Sequence, residues 1–194
     1  MKKKVTQSHS CHNRGYVTRK ELQGSREYAR LLQQAAAGEV IRLKAGVYAA
    51  PDALSEPVPD MTKIVPGGIL CLHSAWFHHE LSVQIPTSIC VAIKRGRKIT
   101  LPIYPHITLY RISDTFLHLG VTQEQIGNHI LPVYDLERSV CDALRYRNKI
   151  GMETCAEILR NYLRHPDRNL DKLHLYATRL RVNNLLSTYL QITL

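Results

Sequence analysis

Several features are missing from this sequence, and each absence removes a class of protein. No apolar run approaches the roughly 20 residues a membrane span requires, so no membrane association is expected. The basic start, Lys2 to Lys4, is followed by Val5-Thr-Gln-Ser-His-Ser and not by an apolar core, so no secretory signal is expected. The five cysteines are odd in number and include no Cys-x-x-Cys pair; Cys71, Cys90 and Cys141 sit in apolar stretches and read as small core residues of a reducing, cytoplasmic compartment. His-x-x-x-His is absent: His73, His78 and His79 share one segment without the spacing that puts two imidazoles on one helical face. His9, Cys11 and His12 lie close together but lack a fourth ligand, so no metal and no cofactor are expected. Internal repeats and low-complexity tracts are lacking too.

What is present is a core and an uneven charge. The chain has 194 residues, 44% of them hydrophobic, and a net charge of +10. Residues 1–50 hold ten Lys/Arg against three Asp/Glu, which concentrates +7 in a quarter of the chain. That is the footprint of a surface that binds phosphates. It coincides with an ordered run of local signals. Thr18-x-x-Glu21 forms a capping box for a short helix. Gln23-Gly24 turns the chain, and a second helix runs from Ser25 to Gly38. Glu39 to Leu43 then reads as a strand, Lys44-Ala45-Gly46 as a turn and Val47 to Ala49 as a second strand. This order predicts a winged helix-turn-helix, a unit that places a helix in a DNA major groove. Tyr28, Leu31, Leu32 and Ala35 are its expected inward face. Ser25, Arg26, Arg30 and Gln33 then carry the chemistry for base edges, since Arg pairs with guanine and Gln with adenine. Thr18, Arg19 and Lys20 are candidates for holding a phosphate, and Arg42 and Lys44 for contacts from the wing. Residues 1–14 offer little for a preceding helix.

The expected class is α+β: an N-terminal winged helix-turn-helix over 1–50, a proline-rich extended linker over 51–66, and a mixed α/β domain over 67–194 that ends in a helical region. In that last domain residues 69–81 suit a buried helix, and 88–94, 106–112 and 129–134 read as strands, with Pro132 placing the third at an edge. Asp135 caps a helix running to about Asn148, with Leu136, Val140 and Leu144 as its apolar stripe, and further helices follow near 152–164, 169–180 and 182–191. A metal-dependent nuclease would need an acid two residues before Lys94; Ala92 stands there, so no catalytic residue is assigned.

Residues 15–48, with GYVTRKEL and GEVIRLKAGVYA, resemble the N-terminal domain of the AbiEi-family antitoxins of type IV toxin–antitoxin systems. GGILCLHSAWFHHEL (67–81), IPTSICVAIKRGRK (85–98) and VYDLERSVCDALRYRNKIG (133–151) resemble the family's C-terminal part. The resemblance implies a phage-defence repressor that binds double-stranded operator DNA and counteracts, directly or indirectly, a cognate nucleotidyltransferase-like toxin. It also suggests Asp142, Arg145, Arg147 and Lys149 as a partner surface, although pairing of Asp142 with Arg145 and the helix dipole explain those charges equally well. The alternatives are a plain winged-helix regulator whose second domain binds a protein or ligand and, less favoured, a metal-dependent nucleic-acid-processing enzyme.

Overall fold

The computed structural model describes residues 15–56 and 58–193. The basic start, the His9, Cys11 and His12 group, and any helix within 1–14 lie outside the described residues. The fold is mixed α+β, with eight α-helices and two sheets among the described residues. None of these helices is long and apolar enough to cross a membrane. The chain divides into two compact units: one runs to Pro66 and takes in Thr100–Tyr104, and the other comprises Gly67–Ile99 and the chain from Pro105 on.

The first unit is built on a small antiparallel sheet of β1 (Tyr16–Thr18), β2 (Ile41–Lys44) and β3 (Val47–Ala49), in the order β1-β3-β2. Because side chains alternate along a strand, each face of this sheet needs its own cover. On one face α1 (Ser25–Ala36) buries Leu31 against Val17, Val40 and Tyr48, with Leu22, Tyr28 and Ala35 at the margin. On the other, the Tyr16 hydroxyl donates to the Ala53 carbonyl at 2.8 Å. Residues 51–66 are therefore not the extended linker the prolines suggest. They form a 3₁₀ turn (Pro51–Ser55) and α2 (Met61–Ile64), and bury Ala53, Met61, Ile64 and Val65. Asp60 caps α2, its carboxylate accepting from the Thr62 amide at 3.0 Å.

The second unit has a five-stranded sheet of β4 (Ile69–Leu70), β5 (Ile89–Lys94), β6 (Ile107–Ile112), β7 (Val121–Ile126) and β8 (His129–Tyr134), ordered β6-β5-β4-β8-β7. Two expectations change here. Residues 69–81 are not one helix: Ile69 and Leu70 pair with β5, and Leu70 also with Val133 of β8. Only His73–His78 is helical (α3), after Leu72 turns the backbone at φ +47°. Nor is β8 an edge, for it lies between β4 and β7 and pairs with both. Pro132 is tolerated because β4, the neighbour on β8's other side, is two residues long and leaves little ladder to lose.

Four longer helices complete the unit: α5 (Leu136–Ile150), α6 (Met152–Arg164), α7 (Leu170–Arg179) and α8 (Asn183–Thr193), with the single turn α4 (Asp114–Leu117) before them. The stripe Leu136, Val140 and Leu144 enters the core, with Trp76, Cys71, Cys90, Ile158, Leu173 and Leu186. All four described cysteines are buried free thiols. The first turn of α5 is a polar hub. Asp135 caps it, accepting from the Arg138 amide at 2.8 Å, and also accepts from the Tyr176 hydroxyl at 3.1 Å. Glu137 accepts from the Asn169 amide at 3.0 Å, and Lys172 pairs with both carboxylates at 3.1 Å.

Gly120 is the tight point beside this hub. Its φ is +73°, and a Cβ there would lie 2.7 Å from Arg138 Cβ and 3.1 Å from the Asp135 carboxylate. Gly120→Ala is expected to cost about 2–5 kcal/mol, the left-handed backbone and the overpacking both opposing it. Urea unfolding of the two proteins measures this; an unchanged midpoint would mean the loop is not clamped there.

Candidate nucleic-acid interface

The sequence candidates in the first unit fall into two groups. The capping box at Thr18 and Glu21 forms, with the Thr18 amide donating to Glu21 Oε2 at 2.9 Å, but the helix it opens is a single 3₁₀ turn, Arg19–Glu21. α1 follows after Gly24, whose φ of +128° suits glycine. Ser25, Arg26, Arg30 and Gln33 are exposed on α1. Glu27 bends back to accept from the Gln23 amide at 2.8 Å. Leu32, expected inside, is 42% exposed. With Leu31 centred on the core, helical rotation of about 100° per residue carries Leu32 off the buried face and sets Arg26, Arg30 and Gln33 on the opposite flank.

Thr18, Arg19, Lys20, Arg42 and Lys44 instead gather around an open cleft of about 880 Å³, with Glu21, Tyr28, Gly46, Thr62 and Lys63 among its other walls. The hairpin turn reaches the 3₁₀ turn directly, the Arg19 amide donating to the Gly46 carbonyl at 2.8 Å. The Arg19 guanidinium lies over the Tyr28 ring, 4.8 Å from its centroid. Burial pushes the Tyr48 phenol up and the neighbouring Tyr28 hydroxyl adds to the rise, while the charges of Arg42 and Arg19 oppose it. Both arginines are thus close enough to one phenol to act on it. Ser25, Arg26, Arg30 and Gln33 are not part of this cleft; Arg30 is roughly 160° around α1 from Tyr28.

The cations of the cleft are not equivalent. Lys44 donates to the Ile64 carbonyl at 2.6 Å and to the Thr100 carbonyl at 3.2 Å, so its ammonium ties the turn to neighbouring backbone instead of projecting from a wing. Lys63 forms an ion pair with Glu21. Among the described residues no acid pairs with Arg19, Lys20 or Arg42. Thr62 and Lys63 are not legible as site residues in the sequence, because their segment reads as a connector, with no spacing signal to bring it back onto the sheet.

Of the four charged residues suggested as a partner surface on the second unit, Arg145, Arg147 and Lys149 reach the surface and Asp142 does not. Asp142 is 1% exposed and meets Arg138, not Arg145: its Oδ1 is 3.1 Å from Arg138 Nε, one helical turn away. Position on the helix decides this: α5 is buried on every side from Leu136 to Leu144, so Asp142 is enclosed and meets Arg138 one turn earlier on its own face, while Arg145 lies past the enclosed stretch and is exposed. Arg147 turns back to the Leu144 carbonyl at 3.2 Å, and Arg145 and Lys149 stay exposed beside the Phe116 and Tyr146 rings. Ala92 is fully enclosed in β5. His79 Nε2 meets the Tyr134 carbonyl at 2.7 Å and the His73 ring packs on Trp76 at 4.8 Å. Among the described residues no three His, Cys, Asp or Glu side chains gather as a metal-ligating group. No protein-family model matches the chain, and no curated protein matches it.

The unequal roles of the cations are measurable without a ligand. Lys44→Met should lower stability by about 1–2 kcal/mol, since it removes the charged donor from the carbonyl of buried Ile64. Lys20→Met should leave stability within about 0.5 kcal/mol. Thermal unfolding of both variants checks this; equal stability for the two would remove the structural role assigned to Lys44.

Proposed function

We propose that the first unit is a winged helix-turn-helix that binds double-stranded DNA, and that the chain is a DNA-binding antitoxin that represses its own operon and counteracts a nucleotidyltransferase-like toxin. The observation that carries the first part is the flank of α1. Arg26, Arg30 and Gln33 face solvent on a helix anchored through Leu31 to the small sheet. A rigid helix with bidentate donors along its free side is what base readout in a major groove requires. The uncommitted cations Arg19, Lys20 and Arg42 lie in the same compact unit, and supply the sequence-independent part of the affinity. The antitoxin part rests on the resemblance of residues 15–48, 67–81, 85–98 and 133–151 to that family. The sequence of the second unit bears on it; the geometry supplies no partner surface at Asp142.

One short helix reads too few base pairs for useful specificity, so the site is expected to be an inverted repeat bound by two copies. Arg26→Ala and Arg30→Ala should each cost about 1–3 kcal/mol on operator DNA and less on scrambled DNA, relaxing specificity. Titrations on the DNA upstream of the gene and on a scrambled duplex test this, and equal losses on the two would oppose base reading by α1.

Neutralisation is separable from repression. The full chain carrying both Arg26→Ala and Arg30→Ala should still rescue growth when co-expressed, from an unrelated promoter, with a nucleotidyltransferase-like gene found beside its own. Loss of rescue together with loss of DNA binding would place protection in repression alone.

A further inference from the structure

The cleft carries an anion that is tied to one of its own cations. Glu21 stands among Arg19, Lys20, Arg42 and Lys63, accepts from the Thr18 amide and pairs with Lys63. We propose that this cleft is a phosphate-ester seat, separate from the base-reading flank of α1, and that the Glu21 carboxylate occupies part of it as a built-in competitor that tempers its affinity. As a seat within the DNA-binding unit it rests on the reading above; as a phosphate site it stands on its own residues.

The seat is preorganised. Arg19 is held over Tyr28 at 4.8 Å, so its planar fork loses little freedom when it meets a phosphate. Its backbone is fixed as well, through the hydrogen bond from its amide to Gly46. Arg42 enters from β2 as the cross-strand partner of Tyr48, and Lys20 from the 3₁₀ turn. Lys63 enters from α2 and is paired with Glu21. An arriving phosphate would gain Arg19, Lys20 and Arg42 at once, and would compete with Glu21 for Lys63. Lys44 does not contribute, because its ammonium is already engaged by the Ile64 and Thr100 carbonyls. The volume, about 880 Å³, holds more than one phosphate, and the Tyr28 ring beside the cations suits the sugar or base that a phosphate ester brings with it.

The test is the isosteric substitution Glu21→Gln in the full chain. Glutamine keeps an oxygen for the Thr18 amide, and so keeps the cap, while removing the charge. Affinity should rise roughly threefold to tenfold, a gain that misfolding cannot imitate. Arg42→Gln should lower affinity and reduce the salt slope by about 0.9 for each phosphate it no longer neutralises. Two sets of probes are titrated: operator and scrambled 30-base-pair duplexes, and inorganic phosphate with ADP. Tighter binding of both duplexes by Glu21→Gln, without a change in their ratio, supports a seat for the DNA strand. Tighter ADP or phosphate binding in a protein that binds no duplex supports the seat for a free nucleotide and defeats the DNA reading instead. If Glu21→Gln binds every probe no more tightly than the unaltered chain, while Arg30→Ala still changes operator preference, the cleft proposal is overturned and base reading by α1 stands.

Discussion

Arg138 is a guanidinium with no access to solvent, and the second unit is arranged around the cost of putting it there. Its Nη1 donates to the Phe116 and Leu119 carbonyls at 2.8 and 3.0 Å, its Nε lies 3.1 Å from Asp142, and the Tyr134 ring sits 4.2 Å from its Cζ. Nη2 has no hydrogen-bond acceptor among the described residues, which leaves the electron-rich ring as its neighbour. Burial pushes the Asp142 carboxyl above the usual carboxylate range, and Arg138 beside it opposes the rise. A buried pair of this kind adds little net stability, but losing either partner strands a charge at about 3–5 kcal/mol. Its effect is positional: it fixes α5 to α4, to the loop after α4 and to β8. The hub at Asp135 and Glu137 then locates α7 through Lys172, Tyr176 and Asn169.

The first unit is governed by a different constraint. A three-stranded sheet with two apolar faces has no core until both are covered. α1 covers one face through Leu31, and on the Tyr16 side the chain after β3 folds back, the Ala53 carbonyl accepting from the Tyr16 hydroxyl and Met61, Ile64 and Val65 being buried. The second cover has a functional consequence, because it brings Thr62 and Lys63 to the cations around the hairpin turn. Packing thus shapes the cleft, and the helix that packs on the first face keeps Arg26, Arg30 and Gln33 in solvent. The two proposed roles, base reading and phosphate holding, fall on different elements, α1 for the first and the 3₁₀ turn with β2 for the second, so different substitutions should separate them.

Much of this is legible locally. The 3₁₀ turn after Thr18, α1 from Ser25, the Val47–Ala49 strand and the Asp135 cap follow from residues three or four apart. The helices from 136 to 193 follow from apolar spacing and from the break at His165-Pro166. Whatever depends on distant partners is hidden. β4 is two residues long and exists only because β5 and β8 flank it. β7 alternates weakly in Val121-Thr-Gln-Glu-Gln-Ile126, though the Gly127-Asn128 turn beside it is a usable hairpin signal. Asp142 looks like a surface charge in the sequence because nothing there marks Arg138, four residues earlier, as buried. Lys44 looks like a wing cation because its acceptors, Ile64 and Thr100, are 20 and 56 residues away.

The central claim is that DNA meets the first unit, along the free flank of α1 and the adjoining cleft. Amide and side-chain NMR shifts of the isotope-labelled full chain, followed as a duplex from upstream of its gene is added, test it most directly. The account predicts perturbations centred on Ser25, Arg26, Arg30 and Gln33 and on Arg19, Lys20 and Arg42, with α5 to α8 unmoved. Shifts centred on the second unit, or none at low salt, would contradict it.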